Sequence, residues 1–225
     1  MKFSGLQKTS LIDYPNRVAS VLYTPGCNLR CPYCQNWRIA FHPSPPFLSE
    51  EDALRILEDR KKYVDAAVVT GGEPTIHEDL PQFLETLKRR GFRVKLDTNG
   101  FRPHVLKASL PWLDYVALDV KTSPERYALL GARDPAPLLE SIEVLKKGST
   151  DYELRMTAVP GVIDEEVVRR IGEVVRGAER FAVQQFVAEN AYSADYRAAK
   201  PYDVEELQRF ARILKAYVEE VIVRF

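Results

Sequence analysis

All three cysteines of this chain lie in one short segment, Gly26-Cys27-Asn28-Leu29-Arg30-Cys31-Pro32-Tyr33-Cys34-Gln35-Asn36. The spacing is C-x3-C-x2-C, directly after a predicted first strand, Val18–Thr24. Each iron of a [4Fe–4S] cluster wants a ligand, usually a thiolate. Three thiolates on one loop hold three irons and leave the fourth open, as a catalytic zinc site keeps one position open. A cluster that only carried electrons would want a fourth cysteine, and the chain has none. The alternatives are a structural zinc site or three unremarkable thiols. Zinc would need His42, His77 or His104, none of which stands at finger spacing. An odd, clustered set with no secretory h-region in Met1–Ser10 argues against a disulfide framework.

Other unusual residues fall at the ends of later predicted strands. Thr70-Gly71-Gly72-Glu73-Pro74 follows Ala66–Thr70. Two glycines allow close backbone approach to a ligand, and the carboxylate can accept from an ammonium group. Asp97-Thr98-Asn99-Gly100 closes the strand Phe92–Asp97, and a carboxylate ending an apolar strand needs a partner. Leu118-Asp119-Val120-Lys121 closes Tyr115–Val120, with Asp119 and Lys121 on one face by strand alternation. Arg155 sits inside Tyr152–Val159, where a guanidinium calls for an anion. Gln184-Gln185-Phe186 lies in Phe181–Val187. Each cluster also has a structural reading. Gly-Gly-Glu-Pro and Asn-Gly make turns, Asp119 could pair with Lys121, and Arg155 with Glu153. The three histidines read as surface or loop residues.

Helical patterns separate these strands. Ser49 caps a helix with acidic residues in its first turn, and Leu54 and Leu57 follow. Leu80, Phe83, Leu84 and Leu87 mark a second helix, stopped by Gly91. Pro103–Leu110, Pro137–Lys147, Asp164–Arg176 and Asp203–Val218 complete six. Strand–helix alternation predicts parallel strands with right-handed crossovers. Six units predict a partial (β/α)6 TIM-type barrel, with an open doubly wound sheet as the alternative. In such a barrel the strand C-terminal ends carry the active site. No linker is visible, so residues 1–225 read as one domain. Lys+Arg and Asp+Glu both number 32, which gives no basic excess for nucleic acid. No apolar run is long enough to span a membrane. The cytoplasm is the expected location.

The cysteine motif, with Tyr33 at its aromatic position, resembles the signature of the radical S-adenosylmethionine (radical SAM) superfamily. That resemblance implies an open iron chelated by the amino and carboxylate groups of S-adenosylmethionine, and reductive cleavage of the sulfonium to a 5′-deoxyadenosyl radical. The Asp97-Thr98-Asn99-Gly100 and Leu118-Asp119-Val120-Lys121 segments look like those of the glycyl-radical activating branch. The resemblance carries cofactor contacts onto Tyr33, Asn36, Gly71, Gly72, Glu73, Pro74, Asp97, Asn99, Lys121, Arg155 and Gln185. It carries a monovalent cation (Na+ or K+) onto Asp97, Thr98 and Asp119. Some relatives have histidine near Gln185, which sets this chain apart there. The opening Gly5-Leu6-Gln7-Lys8-Thr9-Ser10-Leu11-Ile12-Asp13-Tyr14-Pro15 and Cys34-Gln35-Asn36-Trp37 are similar to activating proteins of anaerobic ribonucleoside-triphosphate reductase. The implied partner is that glycyl-radical enzyme or one of the pyruvate formate-lyase type. With three cysteines the chain has no ligands for auxiliary clusters, so flavodoxin or ferredoxin is the expected electron donor. Two alternatives stand beside this: a radical enzyme acting on a small molecule, in the manner of carboxy-deazaguanine synthase, and a non-catalytic metal-binding protein.

Overall fold

The computed structural model describes all of residues 1–225, which group into two compact units. The first holds residues 1–28, 36–98 and 102–116; the second holds 29–35, 99–101 and 117–225. The chain passes between them repeatedly, so no single linker divides it.

The first unit contains β1 (Lys2–Phe3), β2 (Gly5–Ser10), β3 (Ala19–Thr24), α1 (Trp37–Phe41), β4 (Leu48–Ser49), α2 (Glu50–Arg60), β5 (Ala66–Gly71), α3 (Leu80–Arg89), β6 (Arg93–Thr98) and α4 (Pro103–Ser109). Its main sheet runs β2-β3-β5-β6. β3, β5 and β6 are parallel, in register from Ala19↔Ala66 to Thr24↔Gly71 and from Ala66↔Arg93 to Val69↔Leu96. Ala66, Ala67, Val68 and Val69 are all fully buried, as a strand covered on both faces must be. The expected α3 stripe, Leu80, Phe83, Leu84 and Leu87, is buried against this sheet side. Ser49 caps α2 by accepting from the Asp52 amide at 3.1 Å.

The second unit begins within β7 (Tyr115–Asp119) and continues through α5 (Ala136–Lys147), β8 (Asp151–Ala158), α6 (Glu165–Val175), β9 (Arg180–Gln185), α7 (Ala194–Ala198), α8 (Val204–Leu214) and β10 (Glu220–Arg224). Its strand order is β7-β8-β9-β10. β8 and β9 are parallel from Leu154↔Phe181 to Ala158↔Gln185, and β10 is parallel to β9. Asp164 and Asp203 cap α6 and α8, accepting from Val167 and Glu206 amides, both at 2.9 Å.

This is the α/β class expected, and the six predicted strands are β3 and β5 to β9. Four sheet strands were not expected: β1 and β4, two residues each and paired antiparallel, and β2 and β10. β2 is antiparallel to β3, with a register shift between Gln7 and Ser10, so the sheet is not wholly parallel. Its middle residues Gln7, Lys8 and Thr9 are exposed and polar, the ordinary dress of an edge strand. β10 is five residues at the edge of the second unit's sheet and only partly buried. The sixth expected helix also ends early, at Leu214 rather than Val218. No helix is long and apolar enough to cross a membrane.

Asp114 anchors the entry to β7. Lys88 Nζ lies 2.8 Å from each of its oxygens, and Arg93 Nη1 and the Val94 amide donate to it at 2.8 Å. Burial opposes its charge, but the bonds from Lys88, Val94 and Arg93 outweigh that and hold the carboxyl below its ordinary value of 3.8. A carboxyl whose folded pKa is depressed stabilises the fold above its unfolded value, and that stability is lost as pH falls through the folded one. Asp114→Asn is therefore expected to cost about 2 kcal/mol at pH 7. The difference from wild type should shrink in urea melts below pH 3.8 and vanish once the wild-type carboxyl is protonated.

Candidate active site

In the first unit, the ends of β3 and β5 dock backbone to backbone. The Gly72 amide donates to Thr24 O at 2.9 Å, and the Glu73 amide to Gly26 O at 2.8 Å. A Cβ on Gly72 would stand 1.8 Å from Gly26 O, and one on Gly71 would stand 2.4 Å from the Thr24 nitrogen. Gly71 also has φ +118°, which side chains rarely adopt. The two glycines are thus required by contact between strand ends, before any ligand is considered. Gly26, at φ +80°, turns the chain into Cys27. Asn36 Nδ2 donates to Gly71 O at 3.0 Å, and His77 Nε2 lies 2.9 Å from Pro25 O. His77 is therefore a loop tie, a role its isolated position in the sequence did not suggest.

Glu73 is 1% exposed. Its Oε1 accepts from the Thr75 amide at 3.0 Å, Thr75 Oγ1 at 2.5 Å and Thr98 Oγ1 at 2.7 Å. Pro74 opens the 3-10 turn Pro74–Ile76 that brings Thr75 back to it. Asp97 is buried, and Lys95 Nζ lies 2.6 Å from its Oδ1. Cys27, Asn36, Gly71 to Pro74, Asp97 and Thr98 are thus placed by one set of adjoining strand ends.

In the second unit, the cysteine loop is held by two others. The Arg30 amide donates to Leu130 O at 2.7 Å, the Ser193 amide to Pro32 O at 2.8 Å, and Gln35 Nε2 to Val187 O at 2.7 Å. Cys31 is buried, Cys34 half-buried, and none of the three cysteines forms a disulfide. Tyr33 is buried, hydrogen-bonded to Cys31, with its ring edge-on to Tyr196 at 5.9 Å. Burial pushes the Cys31 thiol up to about 11, against the pull of the Lys121 ammonium. Its low-energy form in this setting is protonated, or bonded to a cation strong enough to displace the proton.

Asp119 binds Arg155 Nε and, at 2.9 Å, Lys121 Nζ. Burial opposes its charge, but Arg155 and then Lys121 hold the carboxyl well below the usual range. Burial likewise works against the Lys121 ammonium, and Asp119 raises it well above its ordinary value. The Lys121 amide donates to Tyr127 Oη at 2.9 Å, fixing the turn after β7. The Asp119–Lys121 pair considered from the sequence is present. Glu153, the other mate considered for Arg155, takes a bidentate bond from Arg224 at 2.8 and 2.6 Å. Asn99 Oδ1 accepts from the Phe101 amide at 3.1 Å and shapes its own turn. Gln185 Nε2 donates to Tyr202 O at 3.1 Å. Pairing Thr157↔Gln184 puts Gln184, rather than Gln185, on the face of β9 that continues Arg155's face of β8. Lys95 in the first unit and Tyr127 in the second brace these segments without having been singled out. Only Lys95 carried a signal, its spacing two residues before Asp97 on one strand.

The donor set fits an iron–sulfur cluster. It consists of three unlinked thiols, one of them buried beside an ammonium that favours the thiolate. Gly72→Ala tests the docking of the strand ends. It should lower the melting temperature by about 4–8 °C, an overpacking cost of about 2 kcal/mol, and reduce iron uptake in parallel. A wild-type melting curve would contradict the contact.

The sequence profile of the Radical SAM superfamily matches residues 21–174. A Methanocaldococcus jannaschii protein named as a glycyl-radical enzyme activating enzyme is 33% identical over 98% of this chain and 95% of its own. The pyruvate formate-lyase-activating enzyme of Clostridium pasteurianum is 24% identical over 98% of both. A 7-carboxy-7-deazaguanine synthase of Halobacterium salinarum is 28% identical over 60% of this chain and 54% of its own. Among solved structures, Streptococcus suis SuiB bound to precursor peptide SuiA superposes with a TM-score of 0.70 at 16% identity, over 91% of this chain. The chain spans 47% of SuiB, and the likeness shows the fold, the partial barrel expected of these strands. The chain belongs to the radical SAM superfamily, in the branch that holds the glycyl-radical enzyme activating enzymes, and is an enzyme that works with a [4Fe–4S] cluster and S-adenosylmethionine.

Proposed function

We propose that this protein activates a glycyl-radical enzyme, with anaerobic ribonucleoside-triphosphate reductase as its partner. The observation that carries the reading is near-full-length likeness to named activating enzymes. The opening Gly5–Pro15 and the segment Cys34-Gln35-Asn36-Trp37 support the reductase in particular.

Cys27, Cys31 and Cys34 hold three irons in this reading. When bound, the cluster would supply one electron, received from the external donor, to break a C–S bond of S-adenosylmethionine, with methionine leaving and the deoxyadenosyl carbon taking the hydrogen of a glycine Cα. The chain's own residues do the positioning. Gly71 and Gly72 let Glu73 close onto the cysteine loop, and Thr75 and Thr98 fix the Glu73 carboxylate so that its orientation is set before the cofactor arrives. Lys121 and Arg155, both held by Asp119, present positive charge for the cofactor's carboxylate. Tyr33, buried and hydrogen-bonded to Cys31, is steadied by the edge of the Tyr196 ring. A glycine suits this chemistry because it offers no side chain to block approach. The electron comes from flavodoxin or ferredoxin, since three cysteines leave no ligands for a second cysteine-bound cluster. The likeness to a deazaguanine synthase favours, as second reading, a small-molecule substrate.

The test is anaerobic reconstitution, then electron paramagnetic resonance with the reductase present. A glycyl doublet on the partner, accompanied by one deoxyadenosine per radical, is expected. Turnover of a purine-like metabolite with no signal on any glycyl-radical enzyme would favour the second reading. Alanine at Cys27, Cys31 or Cys34 should abolish deoxyadenosine formation, measured by chromatography, and lower iron content below about four per chain.

A further inference from the structure

Lys95 lies in the middle of β6 and is 3% exposed. Its strand neighbours Val94 and Leu96 are fully buried. An ammonium in such a place needs an anion or it is driven to lose its charge. The structure supplies one. Lys95 Nζ stands 2.6 Å from Asp97 Oδ1 and 2.7 Å from the main-chain oxygen of Asp13. Residues 95 and 97 share one face of the strand, so the pair is built into β6 itself. The Asp13 carbonyl comes from the turn joining β2 to β3, where Leu11 and Ile12 are exposed.

The other side chains expected to hold a monovalent cation are similarly engaged. Thr98 Oγ1 donates to Glu73 and keeps its lone pairs, so the two aspartates decide whether a cation fits. Asp119, in the second unit, carries both Arg155 and Lys121. A metal ion at Asp97 would meet a resident ammonium already at hydrogen-bond distance, and one at Asp119 would meet two resident cations. Like charges at such separations repel, most strongly where water is scarce. These residues do not fit the ion.

We infer that Lys95 is the permanent counter-ion of Asp97 and that this chain neutralises Asp97 and Asp119 with its own side chains, so it needs no Na+ or K+ at them. The inference concerns the chain itself and holds whether or not the partner is a glycyl-radical enzyme.

The experiment compares melting of the apoprotein in the chlorides of sodium, potassium and tetramethylammonium at equal ionic strength. Wild type should melt at the same temperature in all three. Lys95→Met should melt roughly 10 °C lower in tetramethylammonium, the effect of stranding a buried carboxylate, and should recover several degrees in sodium or potassium, which then fill the gap. The double variant Lys95→Met with Asp97→Asn should regain most of the loss and be indifferent to the salt; it also decides the matter if the single variant does not fold. Three results would overturn the inference: a saturable rise of the wild-type melting temperature in sodium or potassium, an equal loss for Lys95→Met in all three salts, or a double variant no more stable than the single one. None of these arms involves a partner protein, so a failed activase assay leaves them unaffected.

Discussion

Two backbone segments can lie against each other only if no Cβ stands between them, and the first unit depends on that fact at Gly72. The missing side chain lets the end of β5 bond to the end of β3 through the Gly72 and Glu73 amides. From this contact the rest of the unit's site follows. Gly26 can turn into Cys27, Asn36 can reach Gly71, and Glu73 is delivered to Thr75 and Thr98. Strand ends in a parallel sheet normally diverge into separate loops. Here they are laced together by main-chain hydrogen bonds, which are less sensitive to side-chain change than a packed apolar contact would be.

Charge is the second organising theme. Three sets of buried or half-buried ions find their partners inside one unit: Lys95 with Asp97, Asp119 with Arg155 and Lys121, Glu153 with Arg224. Removing one member of such a pair costs more than the pair contributes, because the other is left charged in a poor solvent for ions. The arrangement therefore gives little net stability and a good deal of geometric definition.

The cysteine motif and the alternation of strands and helices were plain in the sequence because both are local. Spacing places the thiols on one loop, and period places Leu80, Phe83, Leu84 and Leu87 on one face. β2 escaped because an edge strand exposes its polar middle and so lacks an apolar alternation, and β10 because five residues make a weak pattern. Partner choice was the least legible. Glu153 lies two residues from Arg155 and was one mate considered for it, yet Arg224, far away in the chain, holds it with two bonds. Asp119 binds Arg155. Gln184 and Gln185 differ by one position and thus by a whole face of the sheet, a distinction that depends on a register only the folded strands define.

The Glu153–Arg224 clamp bears on how the second unit breathes. β10 is the outermost strand there, short and only partly covered, and such a strand would ordinarily fray first. To peel away it must pull a guanidinium off a carboxylate that is 1% exposed. That exposes the cost of an orphaned ion at the very first step of opening. The amides of Val221 and Val223 should then exchange with solvent on the timescale of the unit's interior, not of its margin, and this edge strand becomes a latch that releases late.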